Sequence, residues 1–484
     1  MVESRTRTTT RNLKIEETLD PENWEEMKDL ARRMAEDMVT FQQNIREEPE
    51  FKPIPEPVIE YLKQSAPREG IGTEEVYQEF LTKILANHGS WYQGPKFWAM
   101  VLANSTPFAA LAEMWRSGLN TSSGWPAQLD TKVELQVIQW FKEVLGYPSE
   151  ASGVLVSGGS MANLVALTVA RNAKAGYNVK EMGVNGKLTF YGSSEMHSSI
   201  QRDLETLGVG NEQLRRIPSD ENYKIRIDEL DKRIEEDKKN GYTPVCVIGN
   251  SGSTNTGSFD DFNALSELCK EKNLWLHVDG AFGAWVALSQ KYKHLVSGQE
   301  KADSLSFDLH KWMYMPFGIG CTLVRDADAH YHTFSAHAEY IAHEDRWLID
   351  YGPELSRPFR ALKAWMCLKE HGFDKYGRLI EQNIDQAKYL KSLIMSHAEL
   401  ELLAPVASNV VCFRYVREGV DEKGLDVINQ RIFEEGMKEL EFGYWPSKVG
   451  DRFAIRICIV NHRTRREDLA QFVDWVLETG KKAT

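Results

Sequence analysis

Two side chains in this sequence stand where physical chemistry makes them conspicuous. Asp279 ends the apolar run LWLHVDG (274–280), and a carboxylate taken out of water is costly unless a cation or hydrogen-bond donors meet it. Lys311 lies in a second such run, SLSFDLHKW (304–312), beside His310, and an amine placed there can condense with a carbonyl. Ala281, just past Asp279, is small enough for a flat ring to lie on it. Earlier, GVLVS (153–157) runs into Gly158, Gly159 and Ser160 and then the helix-patterned Met161–Ala173. Small residues, a hydroxyl and a helix N-terminus together hold an anion without any basic side chain. His197 follows KLTFYG (187–192), and a polar loop holding Ser253 follows VCVIG (245–249). Singly, each feature also has an ordinary reading: a glycine-rich turn, a capping histidine, a surface loop. Together they describe one ligand, with a phosphate for the glycine turn, a ring nitrogen for Asp279, flat faces for His197 and Ala281, and an aldehyde for Lys311. That ligand is pyridoxal 5'-phosphate.

The elements that position these residues follow from periodicity. Short apolar runs at 153–157, 187–192, 245–249, 274–280, 304–308 and 320–324 alternate with helical stretches at 161–173, 198–207 and 259–270. This pattern predicts an α/β fold with a mostly parallel central sheet and helices on both faces. In such sheets ligands bind beyond the carboxyl ends of the strands, which is where the candidate residues fall. Upstream, Trp24, Met27, Leu30, Met34, Met38 and Phe41 follow helical spacing, and Asp20-Pro21-Glu22 is expected to open that helix. Pro53, Pro55, Pro57 and Pro67 break the pattern before a second helix at 74–87. Downstream, helices near 377–398, 424–440 and 465–480 alternate with NVVCFRYV (409–416) and FAIRICIV (453–460), a small C-terminal α+β domain. The expected boundaries are an N-terminal helical arm at 1–92, a large cofactor domain at 93–370 and a small domain at 371–484.

The stretch from Gly158 to Leu164, the lone His197, the stretch from His277 to Ala281 and that from Asp308 to Trp312 resemble the group II pyridoxal-phosphate-dependent amino-acid decarboxylases. Aromatic-L-amino-acid, tyrosine and glutamate decarboxylases belong to that family. The resemblance extends over about 20–480, with Pro95-Lys96-Phe97 and Glu354–Lys363 in family order. It implies a fold-type I enzyme, a homodimer with active sites at the subunit interface. Lys311 would bond the cofactor aldehyde, Asp279 would pair with the pyridine nitrogen, and His197 would stack on the ring. Gly159, Ser160, Ser253, Ala281, Asp308 and His310 would complete the cofactor site. Tyr340, on the loop 328–348 and 29 positions past Lys311, would return a proton to the substrate carbon after CO2 leaves. Trp91, Phe97 and Trp98 occupy the region that lines the side-chain pocket in relatives, where flat walls suit an aromatic amino acid; they serve equally as core or dimer-contact residues. Arg456, in an otherwise apolar strand, wants an anionic partner, either a substrate carboxylate or a structural Asp. Two positions depart from the pattern: Met161 replaces a common Glu, and Asp308 replaces a common Asn. An anionic Asp308 facing phosphate would repel it, so its bonds are expected elsewhere.

The expected function is decarboxylation of an L-amino acid to its amine and CO2, with an aromatic substrate favoured. An acidic substrate, an aldehyde synthase and a carbon–carbon lyase are the alternatives on the same cofactor. A catalytically inert binding protein or structural homodimer would have no use for Lys311. Of 484 residues, 42% are hydrophobic and 27% charged, which describes a globular chain long enough for more than one core. With 58 basic and 71 acidic side chains, the net charge of −13 disfavours a nucleic-acid partner. Six scattered cysteines form no CxxC pair, and His330, His332, His337 and His343 lack metal-ligand spacing, so no disulfide framework and no metal are expected. No apolar run approaches the ~18 residues of a membrane span, and the polar start MVESRTRTTTRNLK has no secretory pattern. A cytoplasmic protein with no membrane partner is expected.

Overall fold

A computed structural model of the chain describes residues 18–184, 186–335 and 346–483. The apolar runs become strands β1 (Ser152–Val156), β2 (Leu188–Ser193), β4 (Thr243–Asn250), β5 (Trp275–Asp279), β6 (Ser304–Asp308) and β7 (Gly320–Val324), joined by β3 (Leu214–Ile217). They form one sheet in the order β1-β7-β6-β5-β4-β2-β3. Every pairing from β6 to β3 is parallel, while β7 is antiparallel to both β1 and β6. Two reversals restore direction, so β1 points the same way as β6. The carboxyl ends of β1, β2, β4, β5 and β6 therefore share one edge, and β7 starts there, with Gly320 level with Val156 and Asp308.

Alternate strand residues enter different cores, as a period of two requires. Val154 and Val156 pack with Ala162 and Val165 of the helix Gly159–Lys174, whereas Leu155 joins Phe141 and Phe307. Cys246 and Ile248 pack with Leu167 and Ile200, whereas Val247 joins Phe262 and Leu265. Helices thus cover both faces, and all six cysteines are buried and free.

A second, antiparallel sheet has the order β10-β11-β9-β8, from β8 (Leu400–Leu402), β9 (Val410–Tyr415), β10 (Trp445–Val449) and β11 (Arg452–Cys458). Helices Phe373–Met395, Glu422–Glu439 and Arg466–Lys482 cover it through Ile394, Ile428, Ile432, Phe472 and Val476. The three strands without a clear sequence signal, β3, β8 and β10, all lie at sheet edges. Edge strands are short and half-solvated, and β10 tolerates Pro446 because an edge residue need not donate to a neighbour.

The arm helix spans Trp24–Gln43 and is capped by Asn23, whose side chain accepts the Glu25 and Glu26 N–H groups. The start expected at Asp20-Pro21-Glu22 is corrected: Asn supplies the capping oxygen nearer the apolar spacing. The helix expected at 74–87 comprises an α segment Thr73–Glu79, a π turn Phe80–Ile84 and a 3-10 turn Leu85–Asn87. Arg46 bonds Asp468 at 2.9 Å, tying the arm to the last helix. Among the described residues no helix is long and apolar enough to cross a membrane.

Candidate active site

A cavity of about 540 Å³ opens where the five strand ends meet. Gly158, Gly159 and Ser160 line it after β1 and His197 after β2; Asn250 at the end of β4 and Ser253 beyond it, Asp279 at the end of β5 and Ala281 beyond it, and Asp308 at the end of β6 with His310 and Lys311 beyond it complete the wall. Residues spread over more than 150 positions converge because parallel strands return each chain segment to the same edge.

Asp279 is 7% exposed. Its Oδ2 accepts Nδ2–H of Asn163 at 3.0 Å and its Oδ1 accepts the Ala281 N–H at 3.1 Å. Lys311 Nζ lies 3.2 Å from Asp308 Oδ2. The two form an ion pair, while among the described residues Asp308 Oδ1 is buried without a partner. The glycine turn owes its composition to crowding: a Cβ on Gly159 would stand 2.7 Å from Asp308 Oδ2, and one on Gly158 2.9 Å from His310 Cε1. His310 donates from Nδ1 to the Ile319 carbonyl at 3.0 Å, and burial holds its pKa below the usual value, so the ring is neutral. His197 caps the helix Ser198–Thr206, its Nδ1 accepting the Ser199 N–H at 3.2 Å. Loss of water depresses its pKa too, leaving a neutral imidazole with its proton on Nε2. The Ser253 hydroxyl sits 2.9 Å from those of Thr256 and Ser258, closing the loop after β4.

Other expected residues are placed differently. Among the described residues Arg456 meets no structural Asp: Nε donates to the Thr254 carbonyl at 3.0 Å, Nη1 to the Ala99 carbonyl at 2.9 Å, and Nη2, on the cavity wall, is buried without a partner. The backbone carbonyls of Thr254 and Ala99 take the place of a counter-ion. Trp91, Phe97 and Trp98 are not brought to the cavity of their own chain. Trp98 is fully buried against Phe442 and Phe472, with Nε1 on Thr464, because segment 96–98 lies along β11. Phe97 and Trp91 pack with Phe51. The following residues, Ala99–Leu102, line the cavity instead, together with Phe282 and Trp445. Trp445 had no readable signal because its edge strand had none. Asn163 did have one, as a lone amide on the buried, apolar face of the helix Gly159–Lys174. Tyr340 lies outside the described residues. His330 bonds Ser152 and the Tyr351 carbonyl and is fully buried. Among the described residues no group of three His, Cys, Asp or Glu is arranged to hold a metal.

Residues 55–416 match the family described as the pyridoxal-dependent decarboxylase conserved domain. The chain belongs to this family. It is similar to the aromatic-L-amino-acid decarboxylase of Bacillus atrophaeus, 33% identical over 459 residues and covering 93% of this chain and 94% of the relative. The corresponding Drosophila melanogaster enzyme is 31% identical over 92% of this chain and 89% of its own. Among solved structures, Oryza sativa TDC with PLP and tryptamine aligns with a TM-score of 0.88, over 96% of this chain and 99% of that one at 22% identity. Rhodiola rosea 4-hydroxyphenylacetaldehyde synthase aligns at 0.86, over 96% and 100%, also at 22%. At that identity the likeness concerns fold alone, and the fold is that of fold-type I.

The decarboxylase uses pyridoxal phosphate, and the cavity suits it. Asp279 can face a cationic ring nitrogen, Lys311 an aldehyde, and the helix start at Gly159 a phosphate. Buried Asp308 Oδ1 and Arg456 Nη2 are polar atoms that a bound molecule would satisfy. Bound there, the cofactor supplies a ring that takes up the electron pair released when a bond to the substrate's α-carbon breaks.

Proposed function

We propose that this decarboxylase converts an aromatic L-amino acid to its amine and CO2, as a cytoplasmic homodimer, with Lys311, Asp279, His197 and Tyr340 as the reacting groups. The carrying observation is the placement of one amine, Lys311, and one solvated-by-protein carboxylate, Asp279, at neighbouring strand ends of a single cavity. Gly159, Ser160 and Ser253 are assigned to the phosphate side, His197 and Ala281 to the two ring faces, and Asp308 and His310 to holding Lys311. Lys311 would hold the cofactor aldehyde and release it to the substrate amine, and a neutral His197 would stack on the ring without adding charge. Tyr340 delivers the proton that replaces the carboxylate.

The apolar stretch Ala99–Leu102 with Phe282 and Trp445 supports an aromatic side chain, as do the names of the relatives. Lys311 and Arg456 are the lysine and arginine on the cavity wall. Arg456 Nη2 supports contact with a carboxylate, and if that carboxylate belongs to the substrate side chain, an acidic amino acid becomes the substrate. The three-part division at 1–92, 93–370 and 371–484 belongs to the same reading. Incubation of the purified holoenzyme with a panel of amino acids, measuring CO2 and amine, is expected to rank an aromatic substrate first. Turnover confined to glutamate or aspartate would replace the aromatic assignment, and aldehyde with ammonia and peroxide would replace amine formation.

A further inference from the structure

Behind Asp279 lies a chain of buried hydrogen bonds whose direction can be worked out from its two ends. At one end the Asp279 carboxylate only accepts, so the Asn163 side chain must present Nδ2–H to it, at 3.0 Å. Asn163 Oδ1 then faces inward, where it meets His277 Nε2 at 3.0 Å and the Ser306 hydroxyl, which donates to it. Since Oδ1 cannot donate, His277 carries its proton on Nε2, and Nδ1 accepts from the Ser304 hydroxyl at 2.9 Å. At the other end Trp275 Nε1–H, which only donates, gives to Ser304 Oγ at 2.8 Å. Every proton therefore points toward Asp279. Asn163, His277, Ser304 and Ser306 are at most 1% exposed, so water does not compete for these bonds. His277 is neutral throughout, since burial pushes its pKa down to about 4.

We propose that Asn163 and His277 are positioning residues, and that the chain Trp275, Ser304, His277, Asn163, with Ser306 as a second donor, holds the Asp279 carboxylate fixed and aimed at the cofactor's ring nitrogen. Aligned donors polarise one another, so the Asn163 N–H nearest the carboxylate is a stronger donor than a lone amide. A carboxylate that receives such a bond is held in one orientation. The titratable groups that share the cavity with Asp279 are His197, Asp308, His310 and Lys311. This inference rests on the assignment of Asp279 to the ring nitrogen.

The test uses holoenzymes of wild type, Asn163→Leu, His277→Leu, His277→Gln, Ser306→Ala and Asp279→Asn. Two readouts apart from turnover are the pH profile of the bound cofactor's visible absorbance and its rate of release on dilution. Asn163→Leu and His277→Leu are expected to release cofactor about tenfold to a hundredfold faster, the range for a lost bond to a charged group. Both are expected to shift the absorbance profile in the direction of Asp279→Asn. His277→Gln, which keeps a donor toward Asn163, is expected to restore most of both, and Ser306→Ala, which removes one hydroxyl, to show a smaller change of the same sign. If Asp279→Asn changes both readouts while the Asn163, His277 and Ser306 variants change neither, the positioning chain is overturned and the role of Asp279 stands. If Asp279→Asn itself changes neither, the role of Asp279 falls and the chain with it. Should Asn163→Leu fail to accumulate as folded protein, Ser306→Ala and the pair of His277 variants decide the question alone.

Discussion

Asp279 and Lys311 carry opposite charges in one cavity, yet the lysine is paired with Asp308 and the aspartate with Asn163 and the Ala281 N–H. Each of the two groups is thus held by its own protein partners. Replacing Asp279 with Ala removes the acceptor proposed to face the ring nitrogen, and turnover is expected to fall on the order of a thousandfold, the scale for removing a preorganised electrostatic contact. Cofactor retention through gel filtration should fall as well, and near-normal amine production would remove Asp279 from the mechanism. Lys311→Ala is expected to abolish the visible absorbance band of the covalently held cofactor. Tyr340→Phe rests on sequence resemblance: amine formation is expected to drop about a hundredfold, with a carbonyl by-product appearing. Unchanged amine output without that by-product would leave the proton to another group.

At the scale of elements, the turn from β1 into the helix Gly159–Lys174 is crowded by β6 and β7. A Cβ on Gly320 would also strike, standing 2.8 Å from the Gly158 backbone. Gly159→Ala is therefore expected to weaken cofactor binding about tenfold or more, equivalent to ~1.4 kcal/mol, in a chain that still folds. Spectral titration with pyridoxal phosphate reads this directly. The junction between arm and body holds a titrating group. Glu50 is buried, accepting the Ser90 hydroxyl at 2.9 Å and the Lys96 N–H at 2.7 Å, and burial pushes its carboxyl up from 4.5 to about 7. Between those values the folded chain keeps a proton that the unfolded chain has lost, so the stability due to Glu50 falls as pH rises across that window. The full shift corresponds to about 3 kcal/mol. Urea unfolding at pH 5 and pH 8 should show Glu50→Gln flattening the decline seen in wild type; parallel pH dependence in the two proteins would exclude this junction as its source.

At the scale of the whole molecule, large apolar side chains stay on the surface of one chain: Trp24 and Met34 on the arm helix, Val76 and Phe80 beyond it, and Met114, Trp115 and Leu119 on the helix Pro107–Leu119. Burial against a second copy would take them out of water, in keeping with the proposed homodimer. Sedimentation is expected to give about twice the 55.3 kDa chain mass, and Trp115→Glu to lower both dimer stability and activity. A fully active monomer would refute that assembly. The sheet, its two-sided cover, the strand ends that carry Asp279, Lys311, His197 and the glycine turn, and the cofactor they suit were legible from sequence. Those features are local: apolar runs, turn residues and chemically distinct ends survive in a string of letters. Edge strands were not legible, because β3, β8 and β10 bury too little to impose a pattern. Only the tertiary structure decided which groups meet: Asp308 with Lys311, Asn163 with Asp279 across 116 positions, Arg456 with the Ala99 carbonyl across 357, and Trp98 with the C-terminal core rather than the cavity. Hydrogen bonds act over about 3 Å, and distances of that size between remote segments exist only once the layers have packed.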